Sequence, residues 1–342
     1  MPDPTEPDIS AEASPASRPD RRRVLMLGAT GTVGRATVAA LLGHGHEVIC
    51  VVRPRPSDAP VPELPAGAIM REAEVTSPEA LARDGLRGER FDALVSCMAS
   101  RTGAAQDAWA IDHRAHCDAL RLAQDAGVAQ VVLLSAICVQ KPMLEFQRAK
   151  LAFEDELMSS GVDWSIVRPT ALFKSLSGQI YRVRRGKPFL LFGDGALTAC
   201  KPISDADLAQ YMVACLERAD RRNRVLPIGG PGPAMTPREQ GELLFELTGR
   251  PPRFRHVPVA LLGGIAAGLD LLGRLAPRLR ASAEFARIGR YYATESMLVL
   301  DPETGRYNAD ATPETGQDTL RAHYVRMLSG EVADDRGAHA VF

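Results

Sequence analysis

The sequence has no excess of either charge: 41 Lys and Arg stand against 42 Asp and Glu, a net charge of −1. A nucleic-acid partner would call for a basic domain or stripe, so none is expected. Paired cysteines are lacking too. Cys50, Cys97, Cys117, Cys138, Cys200 and Cys215 are scattered without Cys-x-x-Cys spacing, and several fall in apolar runs. That argues against a disulfide framework or zinc site and for reduced core thiols of a cytoplasmic protein. His44 with His46, and His113 with His116, have no acidic cluster beside them, so no metal site is expected. Long uninterrupted apolar runs are absent as well. The longest, Val257 to Leu275, is broken by Asp270 and Arg274 and by Pro258, Gly263, Gly264, Gly268 and Gly273. It is too short and too charged for a membrane span, which leaves a helix over an apolar pocket or one resting on a membrane surface. Residues 1–20, rich in Pro, Ser, Ala and acids with no apolar centre, read as a disordered tail rather than a signal peptide. No internal repeat is apparent.

What the chain does have is Val24-Leu-Met-Leu-Gly28-Ala-Thr30-Gly31-Thr32-Val33-Gly34, an apolar run that breaks into spaced glycines and leads into a helix-like segment through Leu42. A strand, a turn too tight for side chains and a helix N-terminus form a seat for a pyrophosphate. The next apolar run, Glu47 to Val52, ends at Arg53, about 20 residues after the loop, where this kind of domain reads the ribose 2′ position. An acidic residue there suits NAD, whereas Arg suits the 2′-phosphate of NADP, so NADPH is the expected cofactor. Arg55 is near enough to share the role.

Strand-like and helix-like segments alternate through the first two-thirds of the chain, as βαβ units do. Strands are expected near Ile69–Glu74, Ala93–Cys97, Gln130–Ser135, Trp164–Pro169 and Arg224–Ile228, with helices at Asp112–Ala126 and Phe146–Ser159. The fold class is therefore α/β, a Rossmann-type doubly wound parallel sheet with a smaller C-terminal substrate-binding part. The expected layout is a nucleotide-binding domain over 21–230 with a substrate-lining insertion at about 174–203, a cover over 231–330 and a flexible tail over 331–342. Ligands of such sheets bind at the carboxyl ends of the strands. That gathers Gly28, Thr30, Gly31, Thr32, Val33 and Gly34 with Arg53, Glu74, Val75, Ser96, Ser135 and Pro169 around one crevice as cofactor contacts.

At this point the chain resembles the extended and atypical short-chain dehydrogenase/reductases. In that superfamily a Ser after the fifth strand and a Tyr-x-x-x-Lys on the next helix do the chemistry. Here the matching segment is Phe146-Gln-Arg-Ala-Lys150: the Lys is kept, and the Tyr position holds a phenyl ring with no ionisable proton. The resemblance implies that Lys150 is catalytic and touches the cofactor ribose, while Phe146 puts the usual carbonyl chemistry in doubt.

Later segments narrow the resemblance. Ser135–Pro142, Arg168–Gln179, Gly186–Phe189, Phe192–Gly195, Cys200–Ser204 and Tyr291–Met297 are similar to the divinyl chlorophyllide 8-vinyl reductases. The similarity runs from about Arg22 to Leu328. It implies NADPH-dependent reduction of the 8-vinyl group of a divinyl chlorophyll precursor to ethyl, in (bacterio)chlorophyll biosynthesis. A flat tetrapyrrole bearing a propionate needs apolar walls and a cationic rim. Phe146, Phe173, Leu176, Phe189, Phe192, Ile203, Tyr291 and the segment from Val257 to Leu272 are candidates for walls, and Lys174 and Lys201, with Lys187 or Arg184, for the rim. Proton donation is open between Lys150, Tyr291, Tyr292 and water. Two competing readings are a non-catalytic NADP(H)-binding NmrA-like regulator and a structural subunit of a larger complex, and within enzymes the nearest rival is another isoflavone-reductase-like double-bond reductase. The expected location is cytoplasmic, with peripheral contact to photosynthetic membranes and the oligomeric state both open.

Overall fold

The computed structural model describes residues 21–56, 60–273 and 278–332. The expected tails at 1–20 and 331–342 therefore lie almost wholly outside the described residues. Seven strands form one parallel sheet: β1 Arg23–Leu27, β2 Glu47–Val52, β3 Ile69–Glu72, β4 Ala93–Ser96, β5 Gln130–Leu134, β6 Asp163–Pro169 and, after a shorter strand β7 at Phe189–Phe192 that lies elsewhere, β8 Arg224–Ile228. Their spatial order is β3-β2-β1-β4-β5-β6-β8. The order reverses between β1 and β4, the switch point where such sheets open a crevice.

Both faces of the sheet are covered, which is why its strands read as continuous apolar runs and not as alternation. In β1, Val24 and Met26 point into one core with Val38 and Leu41 of the helix Thr32–Gly43 and Met212 of the helix Asp205–Glu217. Leu25 and Leu27 point into the other, with Leu120 of the helix His116–Asp125 and Phe153 and Leu157 of the helix Glu145–Met158. All these side chains are 4% exposed or less. Burial on this scale is worth roughly 1.5–3 kcal/mol per large side chain, so the sheet is a rigid base for the loops at its edge.

A second, smaller sheet joins segments from either side of residue 230. β7 pairs in parallel with β9, Phe254–Val257, so the 174–203 insertion and the 231–330 segment meet in one small sheet. Phe189, Phe245 and Phe254 stack edge to face around it, with ring centroids 5.6 and 6.2 Å apart. The chain then runs through the helices Val259–Gly273 and Arg278–Thr294 and returns to the main sheet, where the backbone N–H of Gly229 donates to Pro313 O at 2.8 Å. Among the described residues no helix is long and apolar enough to cross a membrane. All six cysteines are unpaired thiols.

Candidate functional site

The glycine loop leaves β1 at Gly28, whose φ of +76° is the left-handed conformation that glycine adopts without strain. A Cβ on Gly28 would lie 2.4 Å from the carbonyl carbon of Cys97, and one on Gly34 would lie 2.0 Å from Gly28 O. These two glycines are demanded by packing of loop against sheet and helix against loop. Gly31 differs: its Cβ would meet only Gly28 O, at 3.6 Å, an ordinary contact. The space over Gly31 is open, and Gly31 is also the N-cap of Thr32–Gly43, where no side chain caps the helix and no acid occupies the first turn. The unpaired amides and positive end of that helix face the opening, an arrangement that fits a dinucleotide pyrophosphate.

Arg53 follows directly on β2. Partial burial, and then the charge of nearby Arg101, pull its pKa down, with Glu74 and Asp107 acting the other way. Arg101 thus adds its positive charge to the field at Arg53, beyond the end of β2. Arg101 carries no sequence signal of its own, because it belongs to the loop after β4 and is brought across the sheet by topology. The Arg55 guanidinium turns away to Glu72, at 2.8 Å. Glu74 is occupied locally by the Thr76 hydroxyl at 2.7 Å, and Val75 is core.

Lys150 lies one turn beyond Phe146 on the helix Glu145–Met158, and its Nζ donates to Asp112 Oδ1 at 2.9 Å. Asp112 is 2% exposed. It sits in a widened π-helical turn, Trp109–Ala115, ahead of the helix His116–Asp125. Such turns re-aim one side chain without ending the helix. The Ser100 N–H donates to the same Oδ1 at 3.3 Å, while Asp112 Oδ2 is buried with no hydrogen-bond partner. Burial alone would raise the Asp112 carboxyl, but the Lys150 ammonium and the hydrogen bonds outweigh it, and its pKa is lowered. One turn further along, the His116 Nδ1–H donates to Ile111 O at 2.7 Å, and its Nε2 accepts from the Ser96 hydroxyl at 2.8 Å. Burial drives its pKa down to about 4, so the ring is neutral at pH 7. Ser96 is thereby committed to His116.

Glu154, one turn after Lys150, is fully buried, receives the Ser135 hydroxyl and is paired with Arg168 of β6. Ser135 and Lys150 are therefore held by the same helix through different acids. Pro169 ends β6 beside them. Phe146 is half-buried, packed with Cys138, Leu144, Ile288 and Tyr291, so the Arg278–Thr294 helix closes that end of the crevice.

The candidate substrate residues separate into groups. Phe146 faces this closed end. Phe173 and Phe189, 3% and 4% exposed, belong to the core beneath the cover rather than to an open wall. Phe192 is half-buried. The Tyr291 hydroxyl donates to Cys138 O at 2.8 Å and to Lys141 O at 3.2 Å, and burial pushes its pKa far up. The Tyr292 hydroxyl contacts Cys138 Sγ and its pKa is raised as well, so neither phenol offers a ready proton. The Lys201 ammonium is engaged by Thr312 O at 3.1 Å and Glu314 at 3.3 Å, 111 and 113 residues away in sequence, which takes it from the rim. Lys174, half-buried on the short helix Phe173–Leu176, has no hydrogen bond or ion pair to its ammonium among the described residues. Leu261 and Ile265, in the proposed wall segment, point to solvent at 53% and 43% exposure.

A parallel sheet with this strand order, a glycine loop at its switch point and a retained lysine define a nicotinamide-nucleotide-dependent oxidoreductase. In agreement, a family of NAD(P)H-binding domains matches residues 28–219. The epimerase Mth375 of Methanothermobacter thermautotrophicus shares the fold, with a TM-score of 0.66 at 16% identity over 91% of this chain and 93% of its own. The divinyl chlorophyllide a 8-vinyl-reductase of Zea mays, a chloroplastic protein, is 46% identical over 99% of this chain and 88% of its own length. That of Arabidopsis thaliana is 46% identical over 89% of this chain and 76% of its own. The chain belongs to the divinyl chlorophyllide a 8-vinyl-reductase family.

Proposed function

We propose that this protein uses NADPH to reduce the 8-vinyl group of divinyl chlorophyllide, or of its protochlorophyllide counterpart, to ethyl. The identity to full-length reductases over nearly the entire chain carries this reading. The site supports it in one specific respect: Lys150 is kept, while the position of the usual proton-donating phenol is Phe146.

A bound reduced nicotinamide supplies hydride, and a vinyl group conjugated to the macrocycle accepts it because the developing negative charge spreads into the ring. No alkoxide forms, so no phenol is needed at position 146. Phe146 instead offers an apolar face at the closed end of the crevice. Lys150, held by Asp112, is the group that meets the nicotinamide ribose and holds a proton close to the reacting carbons. With Tyr291 and Tyr292 bonded elsewhere, the second hydrogen comes as a proton from the Lys150 ammonium or from a water beside it. Orientation in such a site supplies up to ~7–11 kcal/mol of rate acceleration.

The choice of NADPH over NADH rests on Arg53, reinforced by Arg101: the two cations gain a shared anionic partner in a 2′-phosphate. Of the rim lysines, Lys174 is the one we assign to the substrate carboxylate. A cytoplasmic location is our reading from the free thiols. The regulator reading is not favoured, since relatives at this identity are named as reductases. Incubating the purified protein with NADPH and divinyl chlorophyllide should shift the absorption maximum to the blue. Unchanged pigment, with the protein folded and NADPH bound, overturns the reading.

A further inference from the structure

The helix Val259–Gly273 is apolar on every side, Val-Ala-Leu-Leu-Gly-Gly-Ile-Ala-Ala-Gly-Leu-Asp-Leu-Leu-Gly, with Asp270 its single charge. A helix of that kind belongs in a core or a bilayer. Here its outer side is in solvent: Leu261 is 53% and Ile265 43% exposed, and Ala260, Gly264, Ala267 and Gly268 are exposed beside them. Leu197, 52% exposed, extends the patch at the N-terminal end, since it and Val259 meet over Gly193. Phe285, on the partner helix Arg278–Thr294, is 36% exposed. Fifteen residues span only ~22 Å of helix, short of the ~30 Å hydrocarbon core, so this helix cannot cross a membrane but has the length to lie in its surface.

The charge around it selects the partner. Among the described side chains, Arg253, Arg255 and Arg290 are exposed, in a chain whose net charge is −1. Arg255 on β9 and Arg253 just before it are exposed ahead of the apolar helix, while Phe254 between them turns inward to Phe245 and Phe189. Arg290 lies across the bare backbone of Gly263, 3.5 Å from where a Cβ would be. One substrate carboxylate occupies one or two cations. Three exposed cations beside an exposed apolar face match a sheet of anionic charge.

We propose that the exposed face of the Val259–Gly273 helix around Leu261 and Ile265 is a docking surface for an anionic lipid bilayer, with that face lowered into the interface and Arg253, Arg255 and Arg290 on the headgroups. The inference does not depend on which pigment is reduced. The test is co-sedimentation of the full chain with phosphatidylcholine vesicles, with or without phosphatidylglycerol, at low and high salt. Leu261→Asp/Ile265→Asp and Arg253→Glu/Arg255→Glu variants are run in parallel, with NADPH binding as the control for folding. The expected result is binding to the anionic vesicles at least tenfold stronger than to neutral ones, weakened by salt, and reduced at least tenfold in both variants while NADPH binding persists. Absence of vesicle binding, equal binding to both lipids, or undiminished binding by the variants overturns the proposal. So does concentration-dependent self-association that the Leu261→Asp/Ile265→Asp variant abolishes without any vesicle binding, since the face would then be an interface between copies. If neither variant retains NADPH, the single substitutions Ile265→Ser and Arg255→Gln replace them under the same criteria.

Discussion

Lys150 Nζ stands 2.9 Å from Oδ1 of Asp112, a carboxylate buried in a π-helical turn whose other oxygen has no partner. The pair couples the candidate catalytic lysine to the fold, so its two roles need separating. Lys150→Ala leaves a buried charge uncompensated and should cost about 3 kcal/mol of stability together with activity. Lys150→Met combined with Asp112→Leu should recover the melting temperature and leave turnover lost. Turnover in the double variant near the wild-type rate would remove Lys150 from the chemistry.

His116 gives a pH dependence of defined sign. Its folded pKa is lowered to about 4 from 6.5, so between those values the unfolded chain binds the extra proton. Stability from this residue is fully present above pH ~6.5 and is lost as pH falls toward ~4, on the order of 3 kcal/mol in all. Melting temperatures measured from pH 7 to pH 4 should fall more steeply in the wild type than in His116→Gln. Parallel curves would contradict the assignment.

The glycines of the loop differ in what they protect. Gly34→Ala drives a methyl to within 2.0 Å of Gly28 O and should unfold the loop, lowering both melting temperature and NADPH affinity. Gly31→Ala meets nothing closer than 3.6 Å, so the melting temperature should hold while NADPH binding weakens. Thermal melts with and without NADPH distinguish the two, and an unaltered NADPH affinity in Gly31→Ala would show that no phosphate approaches there.

Arg53→Ala should reduce the preference for NADPH over NADH. A charge-assisted contact worth about 1.5–3 kcal/mol corresponds to roughly 10-fold or more in relative affinity. Titration of each nucleotide against wild type, Arg53→Ala and Arg101→Ala measures it. Preserved preference in both variants would place 2′-phosphate recognition elsewhere.

How far the sequence leads depends on the range of the interactions involved. β1, β2, β4, β5 and β6 are legible because both faces of the sheet are buried, which forces consecutive apolar residues, and the glycine loop because its steric demands fall within seven positions. Lys150 is legible through its spacing from position 146. Its partner is not: Asp112 is 38 residues distant and lies in a local widening of another helix that no spacing announces. The same applies to Lys201, whose carbonyl and carboxylate partners return from the far end of the chain. Phe173 and Phe189 suit an open wall as well as a core on composition alone. The pairing of β7 with β9, across more than sixty residues, decides for the core.

The central claim is hydride transfer to the vinyl group, and isotopic labelling tests it most directly. Divinyl chlorophyllide is incubated with the protein and, in turn, each of the two NADPH stereoisomers deuterated at nicotinamide C4, and the product is analysed by mass spectrometry and NMR. One isomer should deliver a single deuterium to the terminal carbon of the new 8-ethyl group, with the inner carbon labelled only when the solvent is D2O. A deuterium at the inner carbon, or an 8-ethyl product unlabelled from either isomer, would contradict the account.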